Sequence, residues 1–247
     1  MKEYKVLGVK VNIIEKHLLK KTLIEFIDSN KQHQITTVNP EFIINSHTNK
    51  EFKDIINNSS LATIDGSGII WSLRFKKYKV SLDDRITGVD LTKILINLAR
   101  HNNYKILFCL HNNGLTSPDN FFIKIKDTYQ NLDFQVSDQD TALEKAQSFK
   151  PEIILVGFGA PLQDIWINDN LKNIPHTKIA MGVGGTFDFL SKAITRAPKV
   201  LQSIGLEWLW RLIQQPQLKR VRRILRAIIV FPYLIIKDRI KTYENKN

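Results

Sequence analysis

Short apolar runs of strand type alternate along this chain with amphipathic helical patterns, and most of the runs stop abruptly at asparagine, aspartate or glycine. Alternation of this kind specifies an α/β fold with a mostly parallel sheet, right-handed crossovers and helices on its faces. Strands are expected over residues 33–38, 61–64, 104–110, 133–136 (weakly), 151–156 and 178–181. Helices are expected over 15–29, where Leu18, Leu19, Leu23, Ile24 and Ile27 recur at helical spacing, and over 50–58, 68–75, 91–101 and 141–149. Residues 4–14 alternate about Gly8 and read as an N-terminal β-hairpin.

The stop at Leu61-Ala62-Thr63-Ile64-Asp65-Gly66-Ser67-Gly68 carries the most chemical information. An apolar run that ends in a carboxylate places Asp65 on the rim of the sheet, where ligands sit in open α/β sheets. The same residues suit a turn or a helix N-cap. What favours chemistry is the company: Thr37 and Asn39, Arg85, Gln163 and Asp164, and Gly184 and Gly185 also lie at or just past the strand-type runs. A parallel sheet gathers them on one edge.

The net charge of +12 implies an anionic partner, whether nucleic acid, a phospholipid surface or a phosphorylated substrate. Its distribution decides among them. Beyond residue 195, Arg211, Lys219, Arg220, Arg222, Arg223 and Arg226 precede an apolar run over 227–236, and Lys237, Arg239 and Lys241 follow it. About ten apolar residues are half of what a membrane-spanning helix needs. Flanked by cations, with Phe231 and Tyr233 inside it, the run reads as a segment on an anionic membrane surface. A helix docked on the main domain is the alternative. Residues 1–195 are thus expected to form the α/β domain and 196–247 a basic helical appendage. Nucleic-acid binding would explain the charge and leave the strand-end polar set unexplained, so no nucleic-acid partner is expected; a homo-oligomer is compatible with the sequence. The single Cys109 lies in an apolar run and excludes a disulfide framework. Residues 1–10 lack the apolar core of a signal peptide, which points to the cytoplasm.

Common cofactor signatures are absent. Gly157-x-Gly159 and Gly182-x-Gly184 lack the third glycine of the dinucleotide fingerprint, since Leu162 and Phe187 stand there, and no GxxxxGK[ST] phosphate loop occurs. Asp138-Gln139-Asp140 has the spacing that metal-dependent sugar transferases use to hold a divalent cation, which makes such an enzyme the alternative reading, but it directly precedes a helix and suits N-capping. The six histidines show no ligand spacing. His111 reads as a loop residue, and Trp208 and Trp210 as packing.

Seven motifs together carry a resemblance. They are Thr37-Val38-Asn39-Pro40, Ile64-Asp65-Gly66-Ser67-Gly68, Arg85-Ile86-Thr87-Gly88-Val89-Asp90-Leu91, Val156-Gly157-Phe158-Gly159-Ala160-Pro161-Leu162-Gln163-Asp164, Gly182-Val183-Gly184-Gly185-Thr186-Phe187-Asp188, Arg196-Ala197-Pro198 and Gly205-Leu206-Glu207-Trp208-Leu209-Trp210-Arg211. In this order the chain resembles the WecG/TagA/CpsF glycosyltransferases, glycosyltransferase family 26. The resemblance implies a Rossmann-like enzyme that needs no cofactor or metal. It would move an N-acetylhexosamine-type sugar from a UDP donor to a sugar on an undecaprenyl diphosphate carrier, at the inner face of the cell membrane. It also implies Asp65 as general base, with Thr37, Asn39, Arg85 and Gln163 lining the pocket. Gly88, Asp90, Asp164, Gly184, Gly185 and Arg196 complete the expected substrate-binding set, and Arg211, Arg220, Arg222, Arg223 and Arg226 are the expected diphosphate and lipid contacts. The chain departs from the family in having Gln163-Asp164 where Gln-Glu is usual, and Lys192-Ala193-Ile194-Thr195 where a glycine is usual before Arg-Ala-Pro.

Overall fold

The computed structural model describes residues 1–244; the side chains of Lys219 and of 241–244 lie outside the described set, so Lys219 and Lys241 of the expected basic cluster fall there, as do residues 245–247 of the expected appendage. β1 (Lys2–Val6) and β2 (Val9–Ile13) form the expected hairpin. Leu7 and Gly8 join them, both at positive φ (51° and 77°), a turn whose twist matches that of the paired strands. There follow α1 (Lys16–Asp28), β3 (His33–Val38), α2 (Pro40–Thr48), α3 (Lys50–Asn58), β4 (Leu61–Ile64), α4 (Ser67–Phe75), α5 (Gly88–Asn102), β5 (Ile106–Leu110), α6 (Pro118–Thr128), β6 (Phe134–Ser137), α7 (Ala142–Phe149), β7 (Ile153–Gly157), α8 (Leu162–Asn170), β8 (Ile179–Gly182) and the short α9 (Thr186–Leu190). α5 starts at Gly88, earlier than its apolar periodicity indicates, because the Thr87 side chain accepts from the Asp90 N–H (3.2 Å) and caps it.

The strands make one eight-stranded sheet ordered β1-β2-β4-β3-β8-β7-β5-β6, parallel apart from the hairpin. Alternation divides the central strands between two apolar layers. Ile106, Phe108, Ile153, Leu155, Ile179 and Met181 pack with Leu19, Leu23, Leu91 and Leu95. Leu107, Cys109, Ile154, Val156 and Ala180 pack with Ala142, Ala146 and Ile167 on the other face. Burial on both faces is why these strands read as continuous apolar runs. The winding reverses between β3 and β8: from β3 the chain runs outward to β4, whereas β8 is reached from β7 on the opposite side. Loops after β3, β4 and β8 therefore border a crevice at the strand C-termini.

Cys109 is fully enclosed, and burial pushes its thiol up to about 12. A thiol-specific reagent is expected to leave Cys109 unmodified in the native protein and to react once denaturant unfolds it; rapid native labelling would show that this layer opens.

After α9 the chain forms α10 (Lys199–Ser203), α11 (Glu207–Gln214), α12 (Leu218–Leu225), one π-helical turn (Arg226–Val230) and α13 (Phe231–Glu244). Phe231 and Ile235 are buried in a cluster with Phe42, Ile64 and Ile69. Ile228, Ile229, Tyr233, Ile236 and Ile240 remain exposed. One face of the expected apolar run is thus docked on the main domain and the other is left as an exposed stripe. Among the described residues, no helix is long and apolar enough to cross a membrane.

Candidate active site

Asp65 follows β4 directly, and its N–H donates to the Val38 carbonyl (2.9 Å), which ties the end of β4 to the end of β3. The next turn must pass close to α2. A Cβ at Gly66 would lie 2.5 Å from Cδ of Pro40, and one at Gly68 would lie 2.7 Å from its Cγ, so only glycine fits both places. The Ile86 N–H donates to the Ile64 carbonyl (3.0 Å) and draws the 85–88 segment over Asp65. The Gly88 N–H, at the start of α5, is near enough to the half-buried Asp65 carboxylate to favour its ionised form. Burial and the nearby Glu207 carboxylate push the Asp65 carboxyl up to about 6, opposed by the Arg85 guanidinium and the Gly88 N–H. Proton affinity of that order suits a group that exchanges a proton near neutral pH.

The appendage brings cations to the same rim. Arg211 donates through Nη2 to the Gly185 carbonyl and to Oδ2 of Asp188 (both 3.1 Å), with its guanidinium 4.9 Å from the Phe189 ring centroid. A Cβ at Gly185 would lie 2.0 Å from that Nη2. Arg220 donates to the Arg211 carbonyl (3.2 Å), and burial together with the neighbouring Arg211 and Arg223 holds its guanidinium down to about 10. Arg223 pairs with Glu41 and Arg226 donates to Oδ1 of Asn45 (3.1 Å), both on α2. Arg222 is exposed. Arg85 donates to the Gln202 carbonyl (3.2 Å), and Gly205, at φ +79°, keeps clear the space where a side chain would crowd Ser67 and Arg85. The Nε atoms of Arg85 and Arg211 are buried with no hydrogen-bond partner among the described residues.

The remaining expected residues take varied places. Thr37 is buried and donates to the Gly182 carbonyl (3.4 Å), while Asn39 uses its Oδ1 to cap α2, accepting from the Glu41 and Phe42 N–H groups (2.9 and 3.2 Å). Gln163 is buried, and its Oε1 accepts from the N–H groups of Gly159 (3.2 Å) and Gly184 (2.8 Å), clasping the loops after β7 and β8. Asp164 is wholly enclosed, neither of its carboxylate oxygens has a hydrogen-bond partner among the described residues, and burial pushes it up to about 7. Asp90 is bound to Arg196 and Thr87, and these hydrogen bonds outweigh burial to hold it below the usual carboxylate range.

Asp138 accepts from the N–H (2.8 Å) and hydroxyl (2.6 Å) of Thr141 in its own turn, and Asp140 accepts from Asn112 (2.7 Å), which ties it to the loop after β5. His111 likewise accepts from the Asn113 N–H within its own loop (2.9 Å). Two residues beside Asp65 and the arginines had no role in the sequence reading: Glu207, at the start of α11, and Asp188. Their only sequence signal was membership of the motifs that contain them.

The chain matches the Glycosyl transferase WecG/TagA/CpsF family over residues 4–245. It is 28% identical over 218 residues to the N-acetylglucosaminyldiphosphoundecaprenol N-acetyl-beta-D-mannosaminyltransferase of Staphylococcus aureus strain MRSA252, covering 86% of this chain and 83% of that protein. The proteins of the same name from strains MW2 and NCTC 8325 / PS 47 match with the same identity and coverage. A match over almost the whole chain, on a Rossmann-like sheet whose rim carries the motif residues, makes this protein a glycosyltransferase of the WecG/TagA/CpsF family.

Proposed function

We propose that this enzyme moves an N-acetylhexosamine-type sugar, N-acetylmannosamine or its uronic acid, from a UDP donor to N-acetylglucosamine carried on undecaprenyl diphosphate. The arrangement that carries the reading is one half-buried carboxylate, Asp65, at the strand rim with the Arg85 and Arg211 guanidiniums within electrostatic reach and Arg220 donating to the Arg211 carbonyl. An acceptor hydroxyl is a poor nucleophile, and Asp65 removes its proton as the new bond to the sugar forms. Departing UDP develops negative charge on its diphosphate. The buried Nε–H groups of Arg85 and Arg211 lack acceptors among the described residues, and a buried unpaired donor costs about 1–3 kcal/mol, so an oxyanion that supplies acceptors is favoured there. Thr37, Asn39, Gly88 and Gly184 border the crevice, and Gln163 holds its loops.

The N-acetylmannosaminyl group in the relatives' name supports the class of sugar transferred, and the diphosphoundecaprenol in it supports a lipid-linked acceptor. Such an acceptor stays at a membrane. The exposed stripe of Tyr233, Ile236 and Ile240, with Arg222 and Lys237 nearby in the chain, supports peripheral contact with an anionic surface at the inner face. The test is UDP release by the purified full chain with UDP-N-acetylmannosamine and an undecaprenyl-diphosphate-GlcNAc analogue, with and without a chelator. UDP release that survives chelation is expected. A strict need for Mn²⁺ or Mg²⁺ would shift the chemistry towards Asp138 and Asp140, and no UDP release with any N-acetylhexosamine donor would overturn the reading.

A further inference from the structure

Arg196 lies in the segment that leads into the appendage and carries an unusual number of contacts. Its Nη1 donates to Oδ1 of Asp90 (2.5 Å), its Nη2 to Oδ2 of Asp90 (3.1 Å) and to the Thr87 hydroxyl oxygen (3.2 Å), and its Nε to Oε1 of Glu207 (2.9 Å). Four of the five N–H donors of the guanidinium are therefore in use. The fork on Asp90 is bidentate, the strongest and most direction-specific form of this pairing. Little of the side chain is left for a substrate.

Both ends of this bridge belong to the active site. Thr87 caps α5 and Asp90 lies in its first turn, whose Gly88 N–H favours the ionised Asp65 carboxylate. Glu207 opens α11, the helix that carries Arg211 one turn later. We propose that Arg196 is a positioning residue rather than a substrate ligand: it braces the turn that holds Asp65 against the helix that holds Arg211, and it keeps the Glu207 carboxylate beside Asp65 as a compensated charge. The proposal rests on Asp65 being the base.

The charged groups that act on Asp65 are Glu207 and Asp90, which favour its protonated form, and Arg85 and Arg211, which favour its ionised form. Glu207 is the stronger of the two like charges. Placing it there costs ionisation of Asp65 at low pH and makes the ionised form a stronger base. Arg196 limits that effect by neutralising Glu207, so removing either partner moves the base in opposite directions.

The experiment is the pH dependence of kcat/KM for UDP release by the full chain, with Glu207→Gln, Arg196→Gln and the double variant. Glu207→Gln is expected to move the acid limb to lower pH by roughly half a unit or more. Arg196→Gln is expected to move it to higher pH and to lower kcat about tenfold, because α11 is no longer held. In the double variant most of the upward shift should vanish, since only Asp90, the weaker of the two like charges, is left without its arginine, while the loss in kcat persists. Arg196→Lys puts a single ammonium in place of the fork and is expected to recover the limb position better than kcat. A rise in donor KM with kcat and limb unchanged in Arg196→Gln would make Arg196 a substrate ligand and overturn the proposal. Should Arg196→Gln fail to fold, Glu207→Gln decides alone: a limb coincident with wild type overturns it. If instead Asp65→Asn retained turnover, the base assignment itself would fail, a result separate from these shifts.

Discussion

Asp65→Asn is expected to fold, to bind UDP and to lose turnover by about 10²–10⁴-fold, the usual contribution of a positioned general base. The amide keeps the size of the side chain and its contact with the Gly88 N–H but cannot take a proton. In the wild type the rate should rise as pH passes through about 6, where Asp65 loses its proton, and then level off. The residual rate of the variant should lack that limb. Stability should move the other way. A carboxyl whose folded-state pKa lies above its ordinary 3.8 binds its proton more tightly when folded, so the folded state loses stability as pH rises from about 3.8 to about 6. At neutral pH the charged form is the unfavourable one, and the neutral amide should unfold at the same temperature as wild type or a higher one. Initial rates and a thermal melt on the same preparation check both statements, and turnover within twofold of wild type would remove Asp65 from the base role.

Arg211→Ala is expected to cost about 10²–10³-fold in kcat, comparable to the removal of one preorganised donor to a developing oxyanion. The side chain is held from two directions, by the Gly185 carbonyl and by Asp188, and stacks near Phe189. Its orientation is therefore set before any ligand arrives, which is what gives such a donor its worth. Gly185→Ala provides an independent check, because the added methyl carbon would occupy a point 2.0 Å from Nη2 and must displace the guanidinium. Both variants should show weaker UDP binding by calorimetry along with the lower kcat. Full activity in Gly185→Ala with a displaced Arg211 guanidinium would separate the arginine from the diphosphate.

The position of Asp65 was legible because period and punctuation agree: an apolar run that ends at Asp-Gly in a parallel sheet can only end at the rim. The hairpin and the mostly parallel character of the sheet were legible for the same kind of local reason. Side-chain direction was not. Gln163 and Asp164 stand where the sequence puts them, after β7, yet Gln163 turns inwards to clasp two loops and Asp164 is enclosed without a partner. A helix as short as α8, packed at its first turn beneath glycine-rich loops, has too few residues for periodicity to tell which side faces the crevice. The apolar run over 227–236 was read from composition as a surface segment or a docked helix, and the structure uses its two sides differently, with Phe231 and Ile235 inside and Tyr233 and Ile236 outside. The π-helical turn at Arg226–Val230 alters the angular step just before those residues, so ideal helical spacing could not assign the faces.

By itself, then, the sequence determined the layered α/β architecture, the rim on which Asp65 sits and the cationic character of the C-terminal region, since strand period, turn residues and charge runs are local properties. Only the tertiary structure decided that Arg211 reaches Gly185, that Glu207 stands beside Asp65 and that Arg196 is spent on Asp90 and Glu207. These pairs are far apart in the chain, and which cation meets which carboxylate is set by how the appendage packs on the sheet, through the burial of Phe231 and Ile235 and the close passage of glycines, none of which leaves a periodic trace.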